Sequence, residues 1–167
     1  GLFASRAERA RPDLDIDPDD PRILDIVNRL ECIPLAVELA AAWISVLTLE
    51  GIQRRLQEGP EQLDGADAEP EVHPRHSSLA RVMEASWDLL TPWEREALAS
   101  CAVFRGGFTT EAAQQVLDLA RYRQAPPVHA VLKRLRDVSL LTTVPSPTDP
   151  SQVRWSLFES IRAFADA

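Results

Sequence analysis

Three histidines, two cysteines and one lysine are the residues whose types could do the most chemistry, and their spacing limits what that chemistry can be. A metal site needs clustered His, Cys or carboxylate donors. His73 and His76 lie close together in a proline-bearing stretch, but no third ligand stands beside them, and His129 is far along the chain. Cys32 and Cys101 form no C-x-x-C pair and sit in apolar helical patterns, so both read as buried thiols in a reducing compartment. Lys133 is the lone lysine, and it lies in Val131-Leu132-Lys133-Arg134-Leu135 with no glycine nearby. A phosphate-binding loop of the form G-x-x-x-x-G-K-[ST] needs that lysine to neutralise the β- and γ-phosphates, so this chain holds no such loop. No G-x-S-x-G elbow occurs either. The acids are numerous but form no acid/base pair; Asp13, Asp15, Asp17, Asp19 and Asp20 read as solvated surface.

One basic patch remains. Lys133, Arg134 and Arg136 share a helix, and Arg121 and Arg123 shortly precede it. Such residues could meet nucleic-acid phosphates, dock to another surface, or simply face solvent. The overall balance of 18 basic against 26 acidic residues, a net charge of −8, opposes free-standing DNA binding.

The elements that must position these residues are mainly helical. Leu2–Arg11 reads as the tail of a helix, an abrupt opening that implies a longer parent chain. Asp20-Pro21 is a start signal, with Asp20 as N-cap, followed by Ile23, Ile26, Val27 and Leu30 at helical spacing. After a break at Cys32-Ile33-Pro34, a nearly all-apolar helix is expected over 34–47, buried and central. The apolar run from Ile33 to Leu49 is too short to span a membrane comfortably and contains Glu38. Thr48 caps a third helix. Residues 58–74, rich in proline, glycine and acids, read as a linker, which divides the chain into 1–72 and 73–167.

The second part is expected to restart at Ser77 or Ser78. Thr91-Pro92-Trp93-Glu94 is a capping box, and Gly106-Gly107 is the expected end of that helix. Thr109 or Thr110 opens a helix with Val116, Leu117 and Ala120 inward, and a further helix covers 128–138. Leu140–Val144 and Val153–Phe158 flank a proline-rich turn and read as a hairpin, with Val153, Trp155 and Leu157 on one face. Glu159 caps a last helix. At 167 residues, 45% hydrophobic and 26% charged, the chain is long and apolar enough for a real core, since folding at this size buries about 70% of the unfolded surface.

Four segments, in order, resemble one family. Leu30-Glu31-Cys32-Ile33-Pro34-Leu35-Ala36 is similar to the "GLPLA" segment of STAND ATPases, specifically bacterial NB-ARC-like regulators. Arg75-His76-Ser77-Ser78-Leu79, followed by Glu84–Leu90, looks like the start of their winged-helix subdomain. Val103–Thr109 is similar to their "vFxGgFt" turn, and Leu157–Ala165 to their closing "LLEtiReyA" segment. The resemblance implies a mainly α chain: a helical-bundle lid over 1–72, then a winged-helix subdomain with a small β-hairpin wing over 73–167.

The resemblance also implies a role. In such proteins an upstream P-loop domain binds ADP or ATP, the lid lies over the adenine, and the winged helix senses the phosphates. The implied contacts here are Pro34 and Cys32 at the base, with Arg75 and His76 at the interface with the nucleotide domain. The chain itself would be non-catalytic and cytoplasmic, would bind no nucleotide alone, and would relay nucleotide state to downstream sensor or effector modules, with oligomerisation in the ATP state. Two departures stand out. Cys32 replaces the family's glycine, so positive φ is not expected there. Phe158 stands where related proteins place a phosphate-sensing histidine and cannot donate to phosphate. The alternatives are a DNA-gripping winged helix and a protein-contact scaffold.

Overall fold

The computed structural model describes residues 1–57, 74–147, 149 and 152–166, with the backbone alone at 74–77. It is mainly helical with one small antiparallel hairpin, as expected. The chain forms two compact units, Gly1–Asp88 and Leu89–Ala167. The division therefore falls after Asp88 and not at 72/73.

The first unit holds α1 (Leu2–Ala10), α2 (Pro21–Arg29), α3 (Pro34–Ala42), a 3-10 turn (Trp43–Ser45), α4 (Leu49–Gln57) and α5 (Pro74–Asp88). Helix α3 is the centre: Ala36, Val37, Leu39, Ala40, Ala41 and Ala42 are all buried. Its run of alanines presents little bulk, so α1 packs on it with Phe3, Ala4 and Ala7, and α5 packs on it as well. Helix α2 packs on α4. The helix expected over 34–47 ends at Ala42 and tightens into the 3-10 turn. Two start signals hold: the Asp20 carboxylate accepts from the Arg22 amide at 2.8 Å, and the Thr48 hydroxyl accepts from the Gly51 amide at 3.1 Å.

Helix α5 begins at Pro74, so Ser77 and Ser78 lie inside it and do not cap it. What ties it to the first unit is polar as well as apolar. The Trp43 indole N–H donates to the Ser86 hydroxyl at 3.0 Å, and Arg55 donates to the Ala85 carbonyl at 3.0 Å. The linker expected over 58–74 lies outside the described residues except at Pro74.

The second unit holds α6 (Pro92–Cys101), α7 (Thr110–Val116), α8 (Val128–Asp137), β1 (Thr142–Pro145), β2 (Val153–Ser156) and α9 (Glu159–Ala165). The Glu94 carboxylate reaches back to the Thr91 amide at 2.8 Å, the reciprocal half of the expected capping box. Thr109 caps α7 through the Ala112 amide at 3.2 Å. The core comprises Leu98 and Cys101 of α6, Ala113 of α7, Leu132 and Leu135 of α8 and Ile161 of α9.

Four expectations differ from the structure of the second unit. Helix α6 ends at Cys101, well before Gly106-Gly107. That glycine pair instead leads Phe108 to the free edge of β2, where Phe108 and Trp155 exchange two backbone hydrogen bonds of 2.8 Å. A β-carbon on Gly107 would lie 3.1 Å from the Arg154 Cβ and 3.3 Å from a Val144 methyl, so close approach to the hairpin is what requires glycine. Helix α7 stops at Val116, which is exposed, as is Ala120, while Leu117 and Leu119 are buried beyond it. In the hairpin, Thr143 faces Trp155, and Val153 at the end of the ladder is exposed and not inward. The cap of α9 is Phe158, without a side-chain bond; Glu159 is the first helical residue.

Candidate functional site

The segment joining α2 to α3 is a tight reversal built by backbone. Helix α2 ends in paired bonds from the Glu31 amide to Asn28 O (3.0 Å) and from the Cys32 amide to Val27 O (3.1 Å). This 5→2 and 6→1 pair is the Schellman closure, which places the residue after the cap in the left-handed region. Glu31 has φ 54° and Cys32 φ 55°, so two consecutive non-glycine residues are left-handed. The expectation that Cys32 would avoid positive φ is thus overturned. The conformation costs roughly 1–2 kcal/mol per residue for a side chain bearing a β-carbon.

The reversal brings Cys32 and Pro34 to the surface together. Cys32 is exposed, against the expectation of a buried thiol, whereas Cys101 is buried and its thiol is pushed up to about 12 by burial. Pro34 is the first residue of α3, where its missing N–H costs nothing and its ring is rigid. Behind this edge, the Ser78 hydroxyl of α5 donates to the Glu31 carboxylate at 2.7 Å, which fixes the left-handed residue from the side.

Arg75 and His76 lie in the first turn of α5; their side chains are outside the described residues, as is His73. The structure brings Cys32 and Pro34 into one turn. Among the described residues no group of three or more His, Cys, Asp or Glu could hold a metal ion. Phe158 is 43% exposed, and Glu159 pairs with Arg162 at 2.9 Å.

The basic patch is largely internally compensated. Arg121 pairs with Glu96 and stands over the Tyr122 ring, Arg134 lies 3.7 Å from Glu94, and Arg136 3.2 Å from Asp137. Lys133 and Arg123 are exposed.

A cleft that the sequence did not signal lies beside the reversal, within the first unit. Its volume is about 400 Å³, and its walls come from the end of α2 (Arg29, Leu30), Trp43, α4 (Arg55, Leu56) and α5. Ser78, Arg81, Ala85 and Asp88 lie along one side of α5, with Glu84 adjoining. The Arg55 guanidinium sits 5.8 Å from the centre of the Trp43 ring and 3.9 Å from the Asp88 carboxylate. Helical spacing on α5 could have grouped its residues; nothing local links them to Arg29 or Trp43.

No known protein family and no solved structure matches the chain. It is 39% identical over 116 residues to uncharacterized proteins of two Mycobacterium tuberculosis strains and of Mycobacterium bovis. The matched stretch is 69% of this chain but only 29% of each relative, so the chain spans less than a third of their length. No described helix is long and apolar enough to cross a membrane.

Proposed function

We propose that the chain is the helical lid and winged-helix part of a STAND-type signalling ATPase. In this reading it is a non-catalytic segment that closes over ADP or ATP held by an upstream P-loop domain and relays the nucleotide state to other modules of the same polypeptide. The observation that carries the reading is the reversal at 31–34. It presents Pro34, rigid and without an N–H, at an exposed helix start. That edge suits packing against a purine face. The left-handed Glu31 and Cys32 make the turn that the family makes with glycine. The order of the second unit, three helices, a hairpin and a last helix, is the order a winged helix needs.

The test is made in the intact polypeptide that carries the nucleotide domain. Pro34→Ala should speed ADP dissociation about fivefold, the equivalent of about 1 kcal/mol. An unchanged rate counts against the assignment. The DNA-binding alternative is weaker, because three of the five arginine and lysine side chains in the basic patch already face carboxylates.

A further inference from the structure

The cleft of the first unit has features that packing alone does not require. Arg81 is exposed and has no hydrogen-bond or ion-pair partner among the described residues. Arg29 commits its Nε to Asp25 at 2.9 Å, and its terminal nitrogens have no partner among those residues. Two guanidinium groups with unused donors thus line one cavity, whose other walls include Leu30, Leu56 and Trp43. Arg55 is differently placed: it is held on Ala85 and Asp88 and against the Trp43 ring, and so offsets the Asp88 charge. Glu84 is the exposed acid left to oppose an anion.

We propose that this cleft binds a small oxyanion carried on a planar or apolar body. The negative head, a carboxylate or a phosphate monoester, meets Arg81 and Arg29, since guanidinium forks match both groups geometrically. The body lies against the wall formed by Leu30, Leu56 and Trp43. A volume of about 400 Å³ suits such a ligand. The inference is independent of nucleotide closure, because every residue involved belongs to the first unit and none is the exposed Pro34 edge.

The experiment uses the whole 167-residue chain and follows the Trp43 indole N–H by NMR. That proton is bonded to Ser86 and reports on the cleft wall. The probes are phenyl phosphate, benzoate and inorganic phosphate, so that the two kinds of head and the contribution of the body are separated. Phenyl phosphate or benzoate should give a saturable shift and bind more tightly than inorganic phosphate. Arg81→Gln, at an exposed position that folding does not need, should weaken binding about tenfold, as loss of a charge-assisted pair implies. Glu84→Gln should tighten it, and Arg81→Lys should restore part of it. The proposal is overturned if none of the probes gives a saturable shift. It is equally overturned if Arg81→Gln binds like the parent chain, or if inorganic phosphate binds as tightly as the probes that carry a ring.

Discussion

The indole N–H of Trp43 donates to the hydroxyl of Ser86 at 3.0 Å, a buried bond between residues 43 positions apart. It joins the end of the central α3 segment to α5, and it explains why α5 belongs to the first compact unit. A buried indole without a partner is costly, so the placement of Ser86 is specified and not incidental.

Ser86→Ala removes the acceptor while leaving Trp43, 3% exposed, in place. The loss should be about 1–3 kcal/mol, the desolvation cost of an unsatisfied donor. Urea unfolding followed by tryptophan fluorescence would measure it; an unchanged midpoint would mean that the indole finds water or another acceptor.

At Cys32 the prediction has the opposite sign. Glycine removes the β-carbon penalty of roughly 1–2 kcal/mol at φ 55° but adds about 0.5–1 kcal/mol of chain entropy to the unfolded state. Cys32→Gly should therefore stabilise the chain by about 0.5–1 kcal/mol, read as a raised thermal midpoint. A lowered midpoint would show that the thiol makes contacts worth more than the strain.

The two thiols should separate cleanly by reactivity. Cys32 is exposed, whereas Cys101 is buried with its thiol pushed up to about 12 by desolvation. The thiolate is the reactive form. Under native conditions a disulfide reagent should titrate one thiol, and the second only on unfolding. Cys32→Ser should abolish the native reaction.

Acid stability of the first unit should depend on Asp20. Its carboxyl is held below the usual range, first by hydrogen bonds from the Arg22 side chain and then by the Arg22 amide. Asp13 is likewise lowered, to about 2, chiefly by Arg11. A depressed carboxyl contributes stability that is present in full above its unfolded value of about 4 and is lost as the pH falls through the folded value. Asp20→Asn keeps an N-capping acceptor but removes this titration. The variant should lose less stability than the parent chain between about pH 5 and pH 2. Parallel pH profiles would exclude Asp20 as a contributor.

Much of the architecture was legible in the sequence because its signals are local. Asp20-Pro21, Thr48, the Thr91–Glu94 box and Thr109 mark helix starts through bonds that span two or three residues. The alanine-rich α3 declared itself central because Glu38 alone interrupts its apolar surface. The hairpin followed from β-rich segments around a proline turn, and the lack of a phosphate-binding lysine loop was a matter of counting.

The tertiary structure decided what depends on partners distant in sequence. A proline- and acid-rich stretch looked like the domain boundary, yet the unit ends at Asp88, because Ser78, Ala85 and Ser86 find partners in Glu31, Arg55 and Trp43. Cys32 looked buried in an apolar pattern, yet the Schellman closure of α2 turns it outward, and composition does not encode that backbone path. Gly106-Gly107 looked like a helix end because glycine often is one; here Gly107 is needed where Val144 and Arg154 approach it from the hairpin. The cleft between Arg29 and Arg81 has no local signature, since its walls come from α2, the 3-10 turn, α4 and α5, and only their packing places those side chains around one cavity.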